Sequence, residues 1–152
     1  MSDGAPPAGK PLEGFGGWLI LPMIGVCLAP VRTLAEAATS LASYGPVLEV
    51  PNGTALVAIE VALNVVLLVL QIVTLVAMFG RRSTFPRLFR WVWIASMVLP
   101  IVDIVAVSAL LGVSPTALMD ADMARVAVAA VVMGLWVWYM HASVRVKNTF
   151  IR

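Results

Sequence analysis

The segment from Thr54 to Phe79 contains 26 residues and one charged side chain, Glu60. A helix needs roughly 20 apolar residues to cross the hydrocarbon core of a bilayer, so this segment is long enough to span a membrane. Three other segments of the chain have the same character. The chain of 152 residues is 61% hydrophobic and 12% charged, which is too apolar for a water-soluble protein of this size. The sequence therefore predicts an integral membrane protein of the all-α class.

Glycine, proline and charged residues divide the chain into four predicted transmembrane helices, at about residues 15–43, 54–79, 88–111 and 124–143. Residues 1–14 are predicted to form a flexible cytoplasmic tail, and residues 145–152 a basic cytoplasmic tail. The transmembrane domain between them covers residues 15–144. Pairs of small residues four positions apart, such as Gly25 and Ala29, favour close contact between helices. We therefore expect a compact antiparallel bundle.

Lysine and arginine are distributed unevenly between the two sides that these helices define. The two termini and the loop after the second helix carry eight of them: Lys10, Arg81, Arg82, Arg87, Arg90, Arg145, Lys147 and Arg152. The other two connections are assigned only Arg32 and Arg125. Short loops that are rich in lysine and arginine remain in the cytoplasm. Both termini are therefore predicted to be cytoplasmic.

Aromatic residues follow the same polarity. Ten of them are predicted to lie toward the cytoplasmic side, namely Trp18, Phe79, Phe85, Phe89, Trp91, Trp93, Trp136, Trp138, Tyr139 and Phe150, whereas Tyr44 lies opposite. Aromatic side chains anchor helices at the membrane interface, which is the simpler interpretation. The alternative is a docking surface for a partner or for anionic lipid headgroups. Its candidate contacts are Arg81, Arg82, Arg87, Arg90, Arg145 and Lys147.

Four polar side chains within the predicted helices form a candidate intramembrane cluster: Arg32, Glu60, Asn64 and Asp103. Helical spacing places Glu60, Asn64 and Gln71 on one stripe of the second helix, which is expected to face the interior of the bundle. A rise of about 1.5 Å per residue from the helix ends places the four candidates in the outer part of the membrane.

Three arrangements of the ionisable side chains in this cluster are open at this stage. In the first, Arg32 neutralises Asp103 or Glu60 and holds the helices together. In the second, the two carboxylates carry protons or ions along a transport path. In the third, Arg32 pairs with Glu36 one turn further along the same helix, which leaves the carboxylates protonated.

Catalytic and cofactor sites are not predicted. Cys27 and His141 are the only residues of their kinds, so an internal disulfide, a CxxC motif and a bis-histidine haem site within one chain are excluded. Ligands for a zinc or di-metal site are too few, and no nucleophile–base pair stands out. We therefore expect no enzyme activity, no cofactor and no nucleic-acid partner. The expected partners are the lipid bilayer and either another membrane protein or further copies of the chain.

Two segments of the sequence carry a resemblance to a known family. They read GFGGWLILPMIG at residues 14–25 and SVRVKNTFIR at residues 143–152. With the four-helix layout between them, they resemble domain of unknown function 2569, a family of small bacterial integral membrane proteins. The resemblance covers about residues 14–152 and implies a multi-pass protein of the bacterial inner membrane. It implies no reaction, substrate or catalytic residue.

The sequence favours a non-catalytic accessory or assembly subunit in the inner membrane, which acts through its aromatic cytoplasmic side. The alternative is a small proton- or ion-coupled transporter or channel that uses Glu60 and Asp103. Four helices rarely enclose a solute path alone, so that alternative requires an oligomer.

Overall fold

A computed structural model of the protein describes residues 14, 16–115 and 123–151. Within these ranges the secondary structure is a 3-10 turn and five α-helices: Gly17–Leu19, α1 Ile20–Leu48, α2 Gly53–Phe79, α3 Phe85–Leu111, α4 Met123–Ala142 and α5 Val144–Thr149. The predicted N-terminal tail with Lys10, the connection through residues 116–122 and Arg152 lie outside the described residues, as does the side chain of Arg125.

Three helical segments are long and apolar enough to cross a membrane, namely Gly17–Leu48, Gly53–Phe79 and Phe85–Leu111. A shorter apolar stretch, Ala127–Ala142, occupies most of α4. The predicted all-α class is confirmed, and three to four apolar helices fit a multi-pass membrane protein.

Consecutive helices pack against one another: α1 against α2, α2 against α3, and α3 against α4. One buried hydrogen bond ties α1 to α2, donated by Thr33 Oγ1 to Gln71 Oε1 over 3.1 Å. At the opposite end of α2, Asn52 Nδ2 donates to the Leu110 carbonyl of α3 over 3.3 Å. In the described part of the chain, α1 and α4 make little close backbone contact. The helices therefore follow their chain order, with α2 between α1 and α3.

The buried core lies at one end of this arrangement, which we call the packed end. There the start of α1, the end of α2, the start of α3, the end of α4 and α5 meet around a set of apolar side chains that includes Leu19, Met78, Phe85, Phe89, Met140, Val146 and Phe150. In the half of α2 farther from this end, the buried residues are Gly53 and Leu56. The packed end therefore holds most of the side-chain packing.

Two helices are longer than the sequence predicts, and a proline explains each difference. α1 continues past residue 43 to Leu48, because Pro46 lies in the last turn and removes only one backbone donor there. α3 begins at Phe85 rather than at residue 88, because Pro86 lies in the first turn, where backbone N–H groups have no acceptor within the helix.

The C-terminal segment also differs from its predicted form as a basic tail. Residues Val144–Thr149 form α5, and Val146, Thr149 and Phe150 are buried against the packed end. These buried positions are three and four residues apart, so they lie on one face of a helix, while Lys147 is exposed. Charge alone predicts a membrane stop signal, but the helical spacing of the apolar residues determines the fold here.

Gly53 allows the end of α1 to approach the start of α2. A Cβ atom at this position would overlap the backbone carbonyl of Val47, which cannot move independently of α1. The bulk of any other side chain is therefore excluded at the junction of the two helices.

Gly53→Ala is expected to lower the free energy of unfolding by about 2 kcal/mol or more, because the backbones of α1 and α2 must separate. The measurement is thermal stability of the purified protein in a mild detergent. Gly134→Ala in α4 is the matched control, since its Cβ would meet Trp93 Cζ2 at an ordinary contact distance of 3.6 Å. The control is expected to change stability by less than about 1 kcal/mol. Equal effects of the two substitutions would contradict this account of Gly53.

Candidate functional site

The two terminal segments of the chain meet at the packed end. The backbone N–H of Gly14 donates to Thr149 Oγ1 over 2.9 Å. The same hydroxyl donates to the Arg145 carbonyl over 2.7 Å, one turn earlier in the C-terminal segment. The Phe150 ring stacks on the Phe85 ring with a centroid distance of 4.4 Å. These contacts hold the first residues of the described chain and its last helix against α3, and we call them the terminal clasp.

Arg145 lies inside this clasp. Its side chain is half-buried and covers Gly16 and Gly17, where a Cβ on Gly16 would come within 2.9 Å of Arg145 Nη1. Gly17 also has a φ of +60°, a left-handed conformation that favours glycine. The two glycines therefore leave space for the guanidinium group. Arg145, predicted as a surface contact, packs against the start of the N-terminal helix instead.

The other predicted basic contacts lie on the surface of the packed end. Arg81 and Arg82 are exposed in the turn between α2 and α3, and Arg87 and Arg90 are exposed on the first turns of α3. Lys147 is exposed on α5. The longer α3 thus transfers Arg87 from the predicted loop to a helix.

The ten aromatic residues predicted to lie toward the cytoplasmic side fall into three groups. Trp93, Trp136 and Tyr139 are partly buried against the core. Phe85, Phe89 and Phe150 are buried in the core, so they are not available as interfacial anchors or docking contacts. Four others have exposed fractions between 54% and 70%, namely Trp18, Phe79, Trp91 and Trp138. We call these four side chains, together with Arg81, Arg82, Arg87, Arg90 and Lys147, the basic aromatic surface.

A second polar region lies in the half of the bundle farther from the packed end. The Tyr44 side chain of α1 and the Glu60 carboxylate of α2 are close enough to interact, and Asp103 of α3 interacts electrostatically with both. Glu60 and Asp103 therefore lie within electrostatic range of each other. Asn64, also a candidate, donates through Nδ2 to the Glu60 backbone carbonyl over 3.0 Å. Sequence reasoning omitted Tyr44, although it was the one aromatic residue assigned to that side.

Arg32 is not part of this region. Its Nε donates to Glu36 Oε1 over 2.7 Å, and the two side chains are 80% and 59% exposed. The hydrogen bond between Thr33 and Gln71 fixes the register of α1 on α2. Arg32 precedes Tyr44 by twelve residues, or about 18 Å along the helix. Arg32 and Glu60 therefore do not lie at the same depth, which corrects the prediction. Arg32 pairs with Glu36 on the same helix instead.

Gln71 belongs to neither polar region. It lies on the predicted stripe of α2 but pairs with Thr33, and both side chains are buried, with 6% and 5% of their surfaces exposed. Its role is structural, because a buried amide without a partner would be costly in an apolar bundle. Among the described residues, no group of three or more His, Cys, Asp and Glu side chains has an arrangement that could hold a metal ion.

Comparison with protein families identifies the family of the chain. The family described as "Protein of unknown function (DUF2569)" matches residues 12–151, a range that includes both segments of the terminal clasp and all of the helices. Comparisons with curated proteins and with solved structures give no match.

Phe150→Ala is expected to lower the free energy of unfolding by about 3–5 kcal/mol, because it removes the ring that stacks on Phe85 and leaves a cavity at the packed end. Ile151→Ala is the control, since the neighbouring Ile151 side chain is exposed. The measurement is again thermal stability in detergent, combined with proteolysis of the C-terminus. If Phe150→Ala were as stable as the control, the terminal clasp would not contribute to the fold.

Proposed function

The chain belongs to the DUF2569 family of proteins of unknown function, and we propose that it is a non-catalytic accessory or assembly subunit of the bacterial inner membrane. The main support for the proposal is the basic aromatic surface, because its large side chains are exposed at the same end of the protein that contains the buried core. The partner is another membrane protein that contacts this surface at the cytoplasmic side of the membrane.

The dense side-chain packing at the packed end supports this role. The Phe85 ring is fully buried in the core, and Arg87, Arg90 and Trp91 follow it on the same helix. A surface that is ordered before binding loses less conformational entropy when a partner binds. The terminal clasp therefore prepares the surface for binding without contacting the partner itself.

The chemistry of the exposed side chains supports the same role. Tryptophan and arginine are enriched among the residues that contribute most to protein interfaces. Each basic residue near an anionic membrane also contributes about 1 kcal/mol of attraction to lipid headgroups. Headgroup binding is additive over the cationic side chains, whereas a protein interface depends on a few residues.

The position of the basic residues also supports an orientation. The exposed Arg81, Arg82, Arg87, Arg90 and Lys147 all lie at the packed end. Under the positive-inside rule, this end faces the cytoplasm, and four crossings place both termini there.

A transporter or channel is the second candidate, and one specific observation favours it. Glu60 and Asp103 lie on neighbouring helices within electrostatic range of each other, and the described residues show no salt bridge from either carboxylate to a basic side chain. Carboxylates inside a membrane domain are typical of proton and ion pathways. A further copy of the chain would be needed to enclose such a path.

Reporter fusions test the orientation. A fusion at Asn52, between α1 and α2, is expected to report a periplasmic location, and a fusion at Ser83, between α2 and α3, a cytoplasmic one, because of the distribution of arginine and lysine. The readout is the activity ratio of a periplasm-dependent and a cytoplasm-dependent reporter at each site. The reverse pattern would overturn the assignment of the packed end to the cytoplasm.

Purification from native membranes in a mild detergent tests the accessory role. Wild-type protein is expected to retain a partner in constant stoichiometry. A variant with Arg87→Gln, Arg90→Gln and Trp91→Leu should recover roughly tenfold less of that partner, because three exposed contacts are lost together. The control replaces three exposed residues farther along the same helix: Ile101→Ala, Val102→Ala and Val105→Ala.

Two results would contradict the proposal. In the first, no other protein co-purifies with the wild-type protein at a constant ratio, and the basic aromatic surface then acts as a membrane anchor. If, in addition, Asp103→Asn abolishes complementation of a deletion strain while the Arg87, Arg90 and Trp91 variant complements it, the transporter is the better assignment. Abundance and reporter orientation are measured for every variant, so that loss of insertion is recognised.

A further inference from the structure

An exposed ion pair lies in the middle of the apolar helix α1. Arg32 and Glu36 are one turn apart and bonded over 2.7 Å, and their side chains are 80% and 59% exposed. Within the described part of the chain, no other helix covers them. The pair belongs to the span Gly17–Leu48, which is long and apolar enough to cross a membrane.

The register between α1 and α2 gives the depth of this pair. Because Thr33 bonds to Gln71 in an antiparallel helix, Arg32 and Glu36 lie level with about residues 72 and 68 of α2. These positions are about 10 and 17 Å from the end of α2 at Phe79. α2 is about 40 Å long and the hydrocarbon core is about 30 Å thick, so both charges lie within the hydrocarbon when α2 is centred in the bilayer.

The ion pair forms part of a longer stripe on α1. At 100° per residue, six small or polar residues fall within about 80° of one another on the helix surface: Gly25, Ala29, Arg32, Glu36, Thr39 and Ser43. All except the half-buried Ala29 are exposed. Thr33, which contacts α2, lies about 80° from the centre of this stripe. The stripe is therefore a separate face of α1 from the one that packs against α2.

We propose that this stripe binds the same stripe on a second copy of the chain, in a parallel homodimer within the membrane. A two-fold axis along the membrane normal brings Arg32 of each copy to Glu36 of the partner subunit. Two-fold interfaces pair residue i with j and j with i, so one cation and one anion per chain are sufficient to complete the contact. Interhelical polar contacts of this kind stabilise helix association in membranes.

Charge complementarity selects a second copy over other occupants of the stripe. Lipid tails offer no hydrogen-bond partner to either charge. A helix that presents only one sign of charge would compensate one member of the pair and repel the other. A second copy presents both charges one turn apart at the same depth. Gly25 and Ala29 on the same stripe allow the two α1 helices to approach closely.

Disulfide cross-linking in native membranes tests the geometry of the dimer. In a Cys27→Ala background, Thr39→Cys and Ser43→Cys place a thiol on the stripe. Leu34→Cys and Leu41→Cys are the controls, because both side chains are exposed on the nearly opposite face of α1. Mild oxidation is expected to cross-link the two stripe variants, and the controls should remain monomeric, because a disulfide requires Cα atoms within about 7 Å. Cross-linking of the controls alone, or of no variant, would overturn the proposal.

Complementary charge variants test the ionic contact. Arg32→Glu and Glu36→Arg each give a stripe of like charges, so each variant alone is expected to dimerise roughly tenfold more weakly than wild type. When the two variants carry different tags and are produced together, they are expected to co-purify as a mixed dimer. If each variant self-associates like wild type, or if the mixture gives no mixed dimer although both proteins are inserted, the paired charges do not form the interface.

A neutral double variant provides a measurement that does not depend on the insertion of like charges. Arg32→Leu with Glu36→Leu is as apolar as the rest of α1 and is expected to insert normally. Combined with Ser43→Cys, it should cross-link roughly tenfold less than the same cysteine beside the natural pair. Unchanged cross-linking would overturn the proposal. The dimer does not rest on the accessory role, because the stripe and the basic aromatic surface are different parts of the protein.

Discussion

The hydrogen bond between Thr33 and Gln71 sets the relation between α1 and α2, and the placement of the polar side chains depends on that relation. Both residues are buried, so a shift of one helix along the other would leave their polar atoms unpaired in an apolar bundle. With this register, Tyr44 meets Glu60, and Arg32 is left on the outer surface with Glu36. This one hydrogen bond between helices therefore keeps Arg32 away from Glu60 and Asp103, the carboxylates that the sequence analysis considered as its partners.

The two ends of the helix bundle differ in how their side chains are packed. At the packed end, the large side chains of all five helices surround one core, and the two terminal segments are joined through Gly14, Thr149 and Phe150. In the other half fewer side chains are buried, and a polar contact joins α2 to α3 through the hydrogen bond of Asn52 with the Leu110 carbonyl. A fixed end suits the binding of a partner, and a less densely packed half with two carboxylates is the feature that a transport path would use.

The sequence predicts the fold class well because one physical quantity, the length of an apolar helix, determines it. Phe79 ends α2 and Leu111 ends α3 as predicted, since glycine follows each of them. The predicted helix ends are wrong where a residue type is compatible with two different structures. Proline ends many helices, yet Pro46 and Pro86 are accommodated within terminal turns. Basic residues after the last long helix suggest a tail, yet Val146 and Phe150 fold that segment onto the core.

The candidate site was harder to predict because it depends on register, which a single helix does not encode. Depths are counted from the predicted helix ends, and the additional turn of α1 up to Leu48 places Arg32 farther from the C-terminal end of α1 than predicted. Glu60 and Asp103 lie at a similar level because they are about equally far from the short turn that joins α2 to α3. The sequence analysis places Arg32 too close to the level of Glu60, because the depth of Arg32 is counted from the N-terminal end of α1 and α1 is longer than predicted. In a membrane protein of this kind, buried side-chain hydrogen bonds between helices are therefore needed before intramembrane charges can be assigned to one another.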